Sequence, residues 1–322
     1  MNWQPAASLE TLKIRAQWLN TIRAFFRQRQ VLEVETPVLS PASIPDPHIE
    51  SLQTRVNGQP AYLQTSPELY MKRLLAAGSG PIYQISRAFR DGETSRLHHP
   101  EFTLVEWYRP GYSQQQLMDE VQALLSFLMG SDSNLLPVKF ESDPIKIGYC
   151  DLFEQATGID PLQESWDALA QYGEAIKKTC PVNDDWQAAM DWLLSTVIQP
   201  DMQGMIFVTD YPAAQASLAR LDPENPAVAR RFELFIDGIE MANGFEELTD
   251  AGEQRLRFVQ ENKQRQASGQ QRMVLDEALL AALESGLPET SGVALGLDRL
   301  LMWGLGLKEI RQVMSFVWRD ER

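Results

Sequence analysis

A loop carrying two arginines and two histidines, set between two runs of strand-forming residues, is the part of this chain best equipped for chemistry. The runs cover residues 81–89 and 101–108, are dense in Ile, Tyr, Phe, Leu, Val and Trp, and predict two antiparallel strands. Between them stands Arg90-Asp91-Gly92-Glu93-Thr94-Ser95-Arg96-Leu97-His98-His99-Pro100. An arginine in such a loop holds a phosphate by charge and by paired hydrogen bonds. Glu106, a carboxylate on the returning strand, can address a second substrate, so the segment predicts a two-substrate site.

Two further stretches could do chemistry. Phe232–Ile236 and Ile239–Asn243 flank Asp237-Gly238, a strong signal for a two-residue hairpin turn. That turn pairs Ile236 with Ile239 and Phe235 with Glu240, so Glu233 and Glu240 become diagonal neighbours on one face. Two such carboxylates can share a divalent cation; on an outer face they would simply meet water. Gly244 within Asn243-Gly244-Phe245 marks a bulge or a close approach of backbone to a ligand, and Glu247 adds a third carboxylate. Such a set suits magnesium together with a positively charged substrate. Last, Ser291 to Trp303 reads as a strand of small residues, Gly292, Ala294 and Gly296 among them, running straight into a helix that bears Arg299. Missing side chains let a ligand lie on the backbone, and an arginine at a helix start can hold a phosphate. The same glycine spacing also occurs in tightly packed strands.

These residues need a scaffold. An amphipathic helix is predicted from Ser8, its cap, with Leu12, Ile14, Leu19, Ile22, Phe25 and Phe26 at helical spacing. An edge strand with alternating apolar and acidic residues follows from Val31 to Pro37. After a Pro-rich loop over Ser40–Pro47, Ser66-Pro67-Glu68 opens a second helix with a serine cap and a proline at its first position, Leu69, Met71, Leu74 and Leu75 inward, and Gly78 at its end. Glu68 there is also explained by carboxylates favouring helix N-termini. Ser113 and Gln116 form a capping box for a helix to about Met129, and a polar loop covers 130–144. Residues 145–200 read as helix-rich, most clearly Asn183–Gln199, and strand character returns at Met205–Thr209 before a turn at Asp210-Tyr211-Pro212.

With 322 residues, 44% of them hydrophobic, the chain can bury a core as one large domain, alone or with an insertion. It carries 44 acidic against 29 basic residues and a net charge of −15, which disfavours a polyanion such as tRNA and favours a protein partner. Two cysteines outside any metal-ligand spacing, no secretory signal and no run of about 20 apolar residues predict a soluble, cytoplasmic protein without a membrane span.

Taken together, these segments resemble the catalytic domain of class II aminoacyl-tRNA synthetases, particularly the lysyl branch. The helix and strand ending at Pro37 are similar to motif 1, Phe89–Tyr108 to motif 2 and Gly292–Arg299 to motif 3, in that order. Ser66-Pro67-Glu68-Leu69-Tyr70, Asp210-Tyr211-Pro212-Ala213 and Arg231–Glu247 extend the agreement over most of the chain. The resemblance implies an α+β fold, an antiparallel sheet flanked by helices, with motif 1 at a homodimer interface. It implies ATP among Arg90, Asp91, Gly92, His99, Gly296 and Arg299, with Glu240 and Met241 on the hairpin. Arg90 would contact the α-phosphate, Arg299 the γ-phosphate, and Glu240 a magnesium ion, with Glu233 a second ligand. Ser66, Glu68, Glu106, Tyr108, Asn243 and Glu247 would receive the amino acid. Aspartyl and asparaginyl relatives carry Gln where Glu68 stands, so this acidic set implies a lysine-like substrate.

Bacterial lysyl-tRNA synthetases carry an anticodon-binding barrel before this domain, whereas this chain starts almost at motif 1. That organisation is similar to the paralogous elongation factor P lysine ligases, which activate (R)-β-lysine as an adenylate and transfer it to a lysine of elongation factor P. A single catalytic domain spanning 1–322, with a helix-rich insertion at about 145–200, is the organisation expected. A truncated lysyl-tRNA synthetase acting on tRNA, or a non-catalytic protein on the same scaffold, are the alternatives. The chain departs from the synthetases at Arg90-Asp91-Gly92, where they have Arg-Asn-Glu, at His99, where they have asparagine, and at Ala242 and Ala294, where they have glycine. Each added methyl is expected to reshape the pocket wall.

Overall fold

The computed structural model describes residues 3–131 and 143–318. Most of the polar loop expected over 130–144 lies outside the described residues. The described elements run, in order, α1 (Leu9–Gln28), β1 (Leu32–Glu33), β2 (Leu39–Ser40), β3 (Gln53–Val56), β4 (Gln59–Leu63), α2 (Glu68–Ala76), β5 (Ile82–Phe89), β6 (Glu101–Pro110), α3 (Gln114–Ser131), β7 (Ile145–Gly148), α4 (Tyr149–Thr157), α5 (Trp166–Ile176), α6 (Trp186–Leu193), β8 (Met205–Pro212), β9 (Val228–Ile236), β10 (Ile239–Glu246), α7 (Ala251–Ala267), α8 (Glu277–Gly286), β11 (Thr290–Gly296) and α9 (Leu297–Gly304). They form two compact units, one of Met1–Lys139 with Thr249–Arg322, the other of Phe140–Leu248.

In the first unit the strand order is β1-β5-β6-β11, antiparallel except where β1 joins β5. Strand alternation sends Val105 and Trp107 to the face that the helices cover. Phe26 of α1 stacks on Tyr83 with centroids 4.3 Å apart and meets Trp107 edge-on at 5.4 Å, while the Trp107 indole N–H donates to Glu120 of α3 at 3.1 Å. Ser8 caps α1 by accepting the Thr11 N–H, as its sequence predicts, and the fully buried Trp18 is a core residue the helical spacing left unnamed. The edge strand is shorter than expected. Pairing stops at Glu33, whose carboxylate turns to Arg23 at 3.0 Å and to the Tyr83 hydroxyl at 2.8 Å, and Leu32 is 55% exposed. Helix α2 starts at Glu68 rather than Pro67, with Ser66 Oγ accepting the Glu68 N–H at 3.4 Å.

A second sheet, β2-β4-β3, hangs on a hairpin turn at Asn57-Gly58, both residues at positive φ (50° and 81°). The Asn-Gly pair is the signal that predicts it.

In the second unit the order is β10-β9-β8-β7, antiparallel except between β7 and β8. The helix-rich stretch shares one core with these strands: Phe153, Leu169, Met190 and Leu193 pack with Val208, Tyr211 and Phe235. Helix α6 ends at Leu193, a wider turn runs to Ile198, and a tighter turn then carries the chain to Asp201 through Pro200, which has no amide to give an α-helix. Asp210-Tyr211-Pro212 is not a turn. Strand β8 continues through it by a bulge in which Arg230 and Arg231 of β9 oppose Asp210, whose φ is 57°. The β9/β10 turn is the one the sequence predicts, with Asp237 and Gly238 at φ 48° and 73°. Gly238 is obligatory twice over, since a Cβ there would also sit 2.2 Å from the Gln199 carbonyl oxygen.

Helix α7 holds an ionisable group whose state bears on stability. Burial, aided by the charge of Asp46 and opposed by Arg257, pushes the Glu261 carboxyl from its usual 4.5 up to about 8. The folded state thus binds a proton that the unfolded chain releases, and this contribution to stability is complete below 4.5 and lost as pH rises through about 8. Glu261→Gln cannot ionise, so it should melt on the order of 2 to 4 °C above wild type at pH 9 and level with it at pH 5. Equal melting temperatures at both pH values, followed by circular dichroism, would remove Glu261 as the cause.

Candidate active site

The face of the first unit's sheet opposite the helices carries Glu106, Tyr108, Gly292, Ala294 and Gly296. Register sets Gln84, Glu106 and Ala294 side by side across β5, β6 and β11, and sets Ile82, Tyr108 and Gly292 in the next row. Gly296 stands beside Leu104. In two of the three rows β11 contributes a glycine, and so no side chain, to this face. Glu106 is 2% exposed, and the Tyr108 hydroxyl donates to its Oε1 at 2.7 Å. A carboxylate this deep is stabilised by hydrogen bonds and by cations that come to it.

The arginine loop is closed at its base. The Arg90 N–H donates to the Pro100 carbonyl at 3.0 Å and the Asp91 N–H to the Glu50 carbonyl at 2.8 Å. Asp91 Oδ1 accepts the Gly92 N–H at 2.9 Å, and Gly92 has φ 77°, so the glycine that replaces the synthetases' glutamate occupies a conformation other side chains avoid. The Arg90 guanidinium lies 5.1 Å from the Phe102 ring, and Nη1 is 3.4 Å from Glu93. Phe102 shares its parity on β6 with Glu106, so Arg90 borders the same sheet face. Arg299, in the first turn of α9, donates Nε–H to the Leu97 carbonyl at 3.3 Å. The proposed phosphate-binding arginines thus sit at the two ends of one loop.

His99 closes the far end of the arginine loop. Its Nε2 accepts the Trp318 N–H at 2.9 Å and its Nδ1 meets the Glu101 carbonyl at 2.6 Å, so both ring nitrogens face backbone.

Sequence reasoning missed two residues. Lys72 is 1% exposed and places Nζ 2.7 Å from Glu68 Oε1, so the carboxylate taken for substrate recognition already faces an internal ammonium. The i, i+4 spacing of Glu68 and Lys72 is the signal for it. Asp298, also buried, accepts from Arg15 Nη1 and from the Thr103 N–H, each at 2.6 Å, tying α1, β6 and the start of α9 together one residue before Arg299.

The second unit carries the hairpin carboxylates. Glu240 faces Phe235 as predicted, but Met241 is an extra residue that shifts the register, so Asn243 rather than Ala242 stands opposite Glu233. The bulge lies three residues before the glycine that predicted one. Met241 is buried. Glu233 accepts from Arg231 Nη2 at 2.5 Å, and the same guanidinium donates to the Gln215 carbonyl at 2.6 Å and lies 4.5 Å from the Tyr211 ring. Burial pushes the Glu233 carboxyl above the usual carboxylate range; Arg231 pulls it down and the charge of Glu240 pushes it up. The two carboxylates therefore repel, and a cation between them would relieve that repulsion. Glu247 is buried and bridges by its backbone to Ala219, while its neighbour Glu246 accepts from Arg220 Nε at 2.8 Å.

Among the described residues no three His, Cys, Asp or Glu gather as a metal site. A pair of carboxylates suits magnesium that arrives with phosphate oxygens, because that ion keeps few protein ligands. The arginines flanking the loop suit a polyphosphate. Among the described residues no helix is long and apolar enough to cross a membrane.

The family of class II tRNA synthetases for D, K and N matches residues 1–319. An elongation factor P--(R)-beta-lysine ligase of Baumannia cicadellinicola subsp. Homalodisca coagulata is 44% identical over 332 residues, 99% of this chain and 98% of that protein. Proteins of the same name from Edwardsiella ictaluri (strain 93-146) and Sodalis glossinidius (strain morsitans) are 42% and 44% identical, each over 98% of this chain and 97% of their own length. The chain belongs to the class II tRNA synthetase family, on the branch of the elongation factor P--(R)-beta-lysine ligases.

Proposed function

We propose that this protein activates a lysine-like amino acid, (R)-β-lysine, with ATP and transfers the aminoacyl group to the ε-amine of a lysine on elongation factor P. Similarity over nearly the whole length to proteins named for that reaction supports the reading. The observation that carries it in the structure is the buried Glu106, hydrogen-bonded to Tyr108, on the sheet face that Arg90 borders. An ammonium at Glu106 and an α-phosphate at Arg90 would then lie along one face of the same sheet.

In the first half-reaction a substrate carboxylate oxygen attacks the α-phosphorus, the bond to the bridging oxygen breaks, and pyrophosphate leaves. Arg90 holds the α-phosphate and Arg299 the γ-phosphate, so charge that develops on both sides meets cations already in position. Glu240, with Glu233, would hold a magnesium ion, which would supply further charge neutralisation for the polyphosphate. Asp91, Gly92 and Gly296 offer backbone to the nucleotide. Arg231 holds Glu233, and His99 orients the end of the loop through its two backbone contacts. Glu106 and Tyr108 receive an ammonium of the amino acid, with Ser66, Glu68, Asn243 and Glu247 completing its recognition. In the second half-reaction the deprotonated amine of the acceptor attacks the acyl carbon and AMP departs. The same reading makes the protein a cytoplasmic homodimer joined through the segment ending at Pro37. It makes the chain one catalytic domain, with 145–200 as an addition to it.

Pyrophosphate exchange with α- and β-lysine, run beside transfer to elongation factor P and charging of tRNA, tests this reading. Amino-acid-dependent exchange with transfer to the protein is expected; robust lysyl-tRNA formation would overturn it. Ala294, directly opposite Glu106 in the register, should control the choice of amino acid. Ala294→Gly is expected to shift the exchange ratio toward α-lysine by about tenfold, the worth of one methyl group in a pocket. An unchanged ratio would remove Ala294 from specificity.

A further inference from the structure

Helix α7 carries no residue that the proposed reaction uses, yet it holds the most completely enclosed arginine described in the chain. Arg265 is 0% exposed and every arm of its guanidinium is engaged. Nε donates to the Gln271 carbonyl at 2.8 Å, Nη1 to the Asp46 carbonyl at 3.0 Å and the Ile49 carbonyl at 3.3 Å, and Nη2 to Glu50 Oε2 at 2.5 Å. Burying a guanidinium is costly unless its donors are satisfied, so this arrangement is specific.

What it grips is irregular chain. Residues 43–50 contain Pro45 and Pro47, which have no N–H to offer a sheet, and the segment is fastened from outside instead. Gln270 Nε2 donates to the Pro47 carbonyl at 3.0 Å, and the Ser43 N–H to the Val274 carbonyl at 3.2 Å. The far end of the segment then makes the contact that matters for phosphate, since the Glu50 carbonyl accepts the Asp91 N–H at 2.8 Å beside Arg90. Arg265 reaches no phosphate itself. Its fork fixes Glu50 at one atom while Glu50 fixes the start of the arginine loop at another.

Resting on the adenylating role proposed above, we infer that Arg265 is a positioning residue for ATP, acting through Glu50 on the backbone of Arg90 and Asp91. A planar fork that binds several carbonyls sets the place of the segment more sharply than a lysine's single ammonium could.

Two variants test this. Glu50→Ala removes one arm from a half-exposed side chain, and Arg265→Lys keeps the charge but loses the fork. Glu50→Ala is expected to raise the KM for ATP in pyrophosphate exchange by on the order of tenfold, the worth of one hydrogen bond to a charged group, with the KM for the amino acid within about twofold. Amide hydrogen exchange across residues 89–100 should speed up by a similar factor, while exchange across β6 and β11 stays as in wild type. Arg265→Lys should show the same pattern, enlarged. Equal rises in both KM values, or an unchanged KM for ATP, would overturn the inference, as would unchanged amide exchange in 89–100. If wild type shows no pyrophosphate exchange with any amino acid, the functional reading fails instead, and the amide-exchange comparison alone decides whether Arg265 positions the loop.

Discussion

Lys72→Met is expected to destabilise the protein by about 3 to 5 kcal/mol, because it strips a buried carboxylate of its ammonium. The Lys72 side chain is almost wholly enclosed, and its Nζ stands 2.7 Å from Glu68 Oε1, one turn back on α2. In that setting the pair is held together mainly by the penalty of separating it, since each charge alone would face low-dielectric surroundings. Pairing Lys72→Met with Glu68→Gln should therefore restore most of the loss, and urea midpoints for wild type, both single variants and the double variant give the coupling directly. Additive single effects would show that the two groups do not depend on one another.

Arg90→Ala should lower kcat/KM for amino-acid-dependent pyrophosphate exchange by about 10²- to 10³-fold, the usual loss when one preorganised donor to developing charge is removed. The guanidinium is held over Phe102 and near Glu93, so its position precedes substrate and does not depend on it. Arg90→Lys should recover little, because a lysine offers a point charge where a planar fork had been. Melting temperatures close to wild type are expected for both variants, as Arg90 lies at the mouth of the loop rather than in the core. A loss below tenfold for Arg90→Ala would take the α-phosphate role away from it.

Local signals in the chain predicted some elements and missed others for physical reasons. Ser8, the Ser113–Gln116 box and Asp237-Gly238 act within a few residues of themselves, and each does in the fold what it predicts. Asn57-Gly58 carries an equally local hairpin signal. Asp210-Tyr211-Pro212 has the composition of a turn, yet pairing with β9 keeps it in a strand, with the misfit absorbed by a bulge. Met241 shows the reverse case, a residue with no turn chemistry that becomes the extra residue of β10 and thereby moves Asn243 opposite Glu233.

By itself the sequence determined the type and order of α1, α2, β5, β6, α3, β9, β10, β11 and α9, the loop bearing Arg90, the shared strand of Glu106 and Tyr108, and the turn behind Glu233 and Glu240; it left β2–β4, α7 and α8 unread. What it determined follows from alternation, helical spacing and turn chemistry, which operate over short separations. Only the tertiary structure decided what each charge meets: Lys72 beside Glu68, Arg231 beside Glu233, Arg15 and the Thr103 amide on Asp298, backbone on both nitrogens of His99, and Arg265 on the segment behind Asp91. Most of those partners come from residues remote in the chain, and burial, which sets how strongly each pair is felt, is a property of the packed whole.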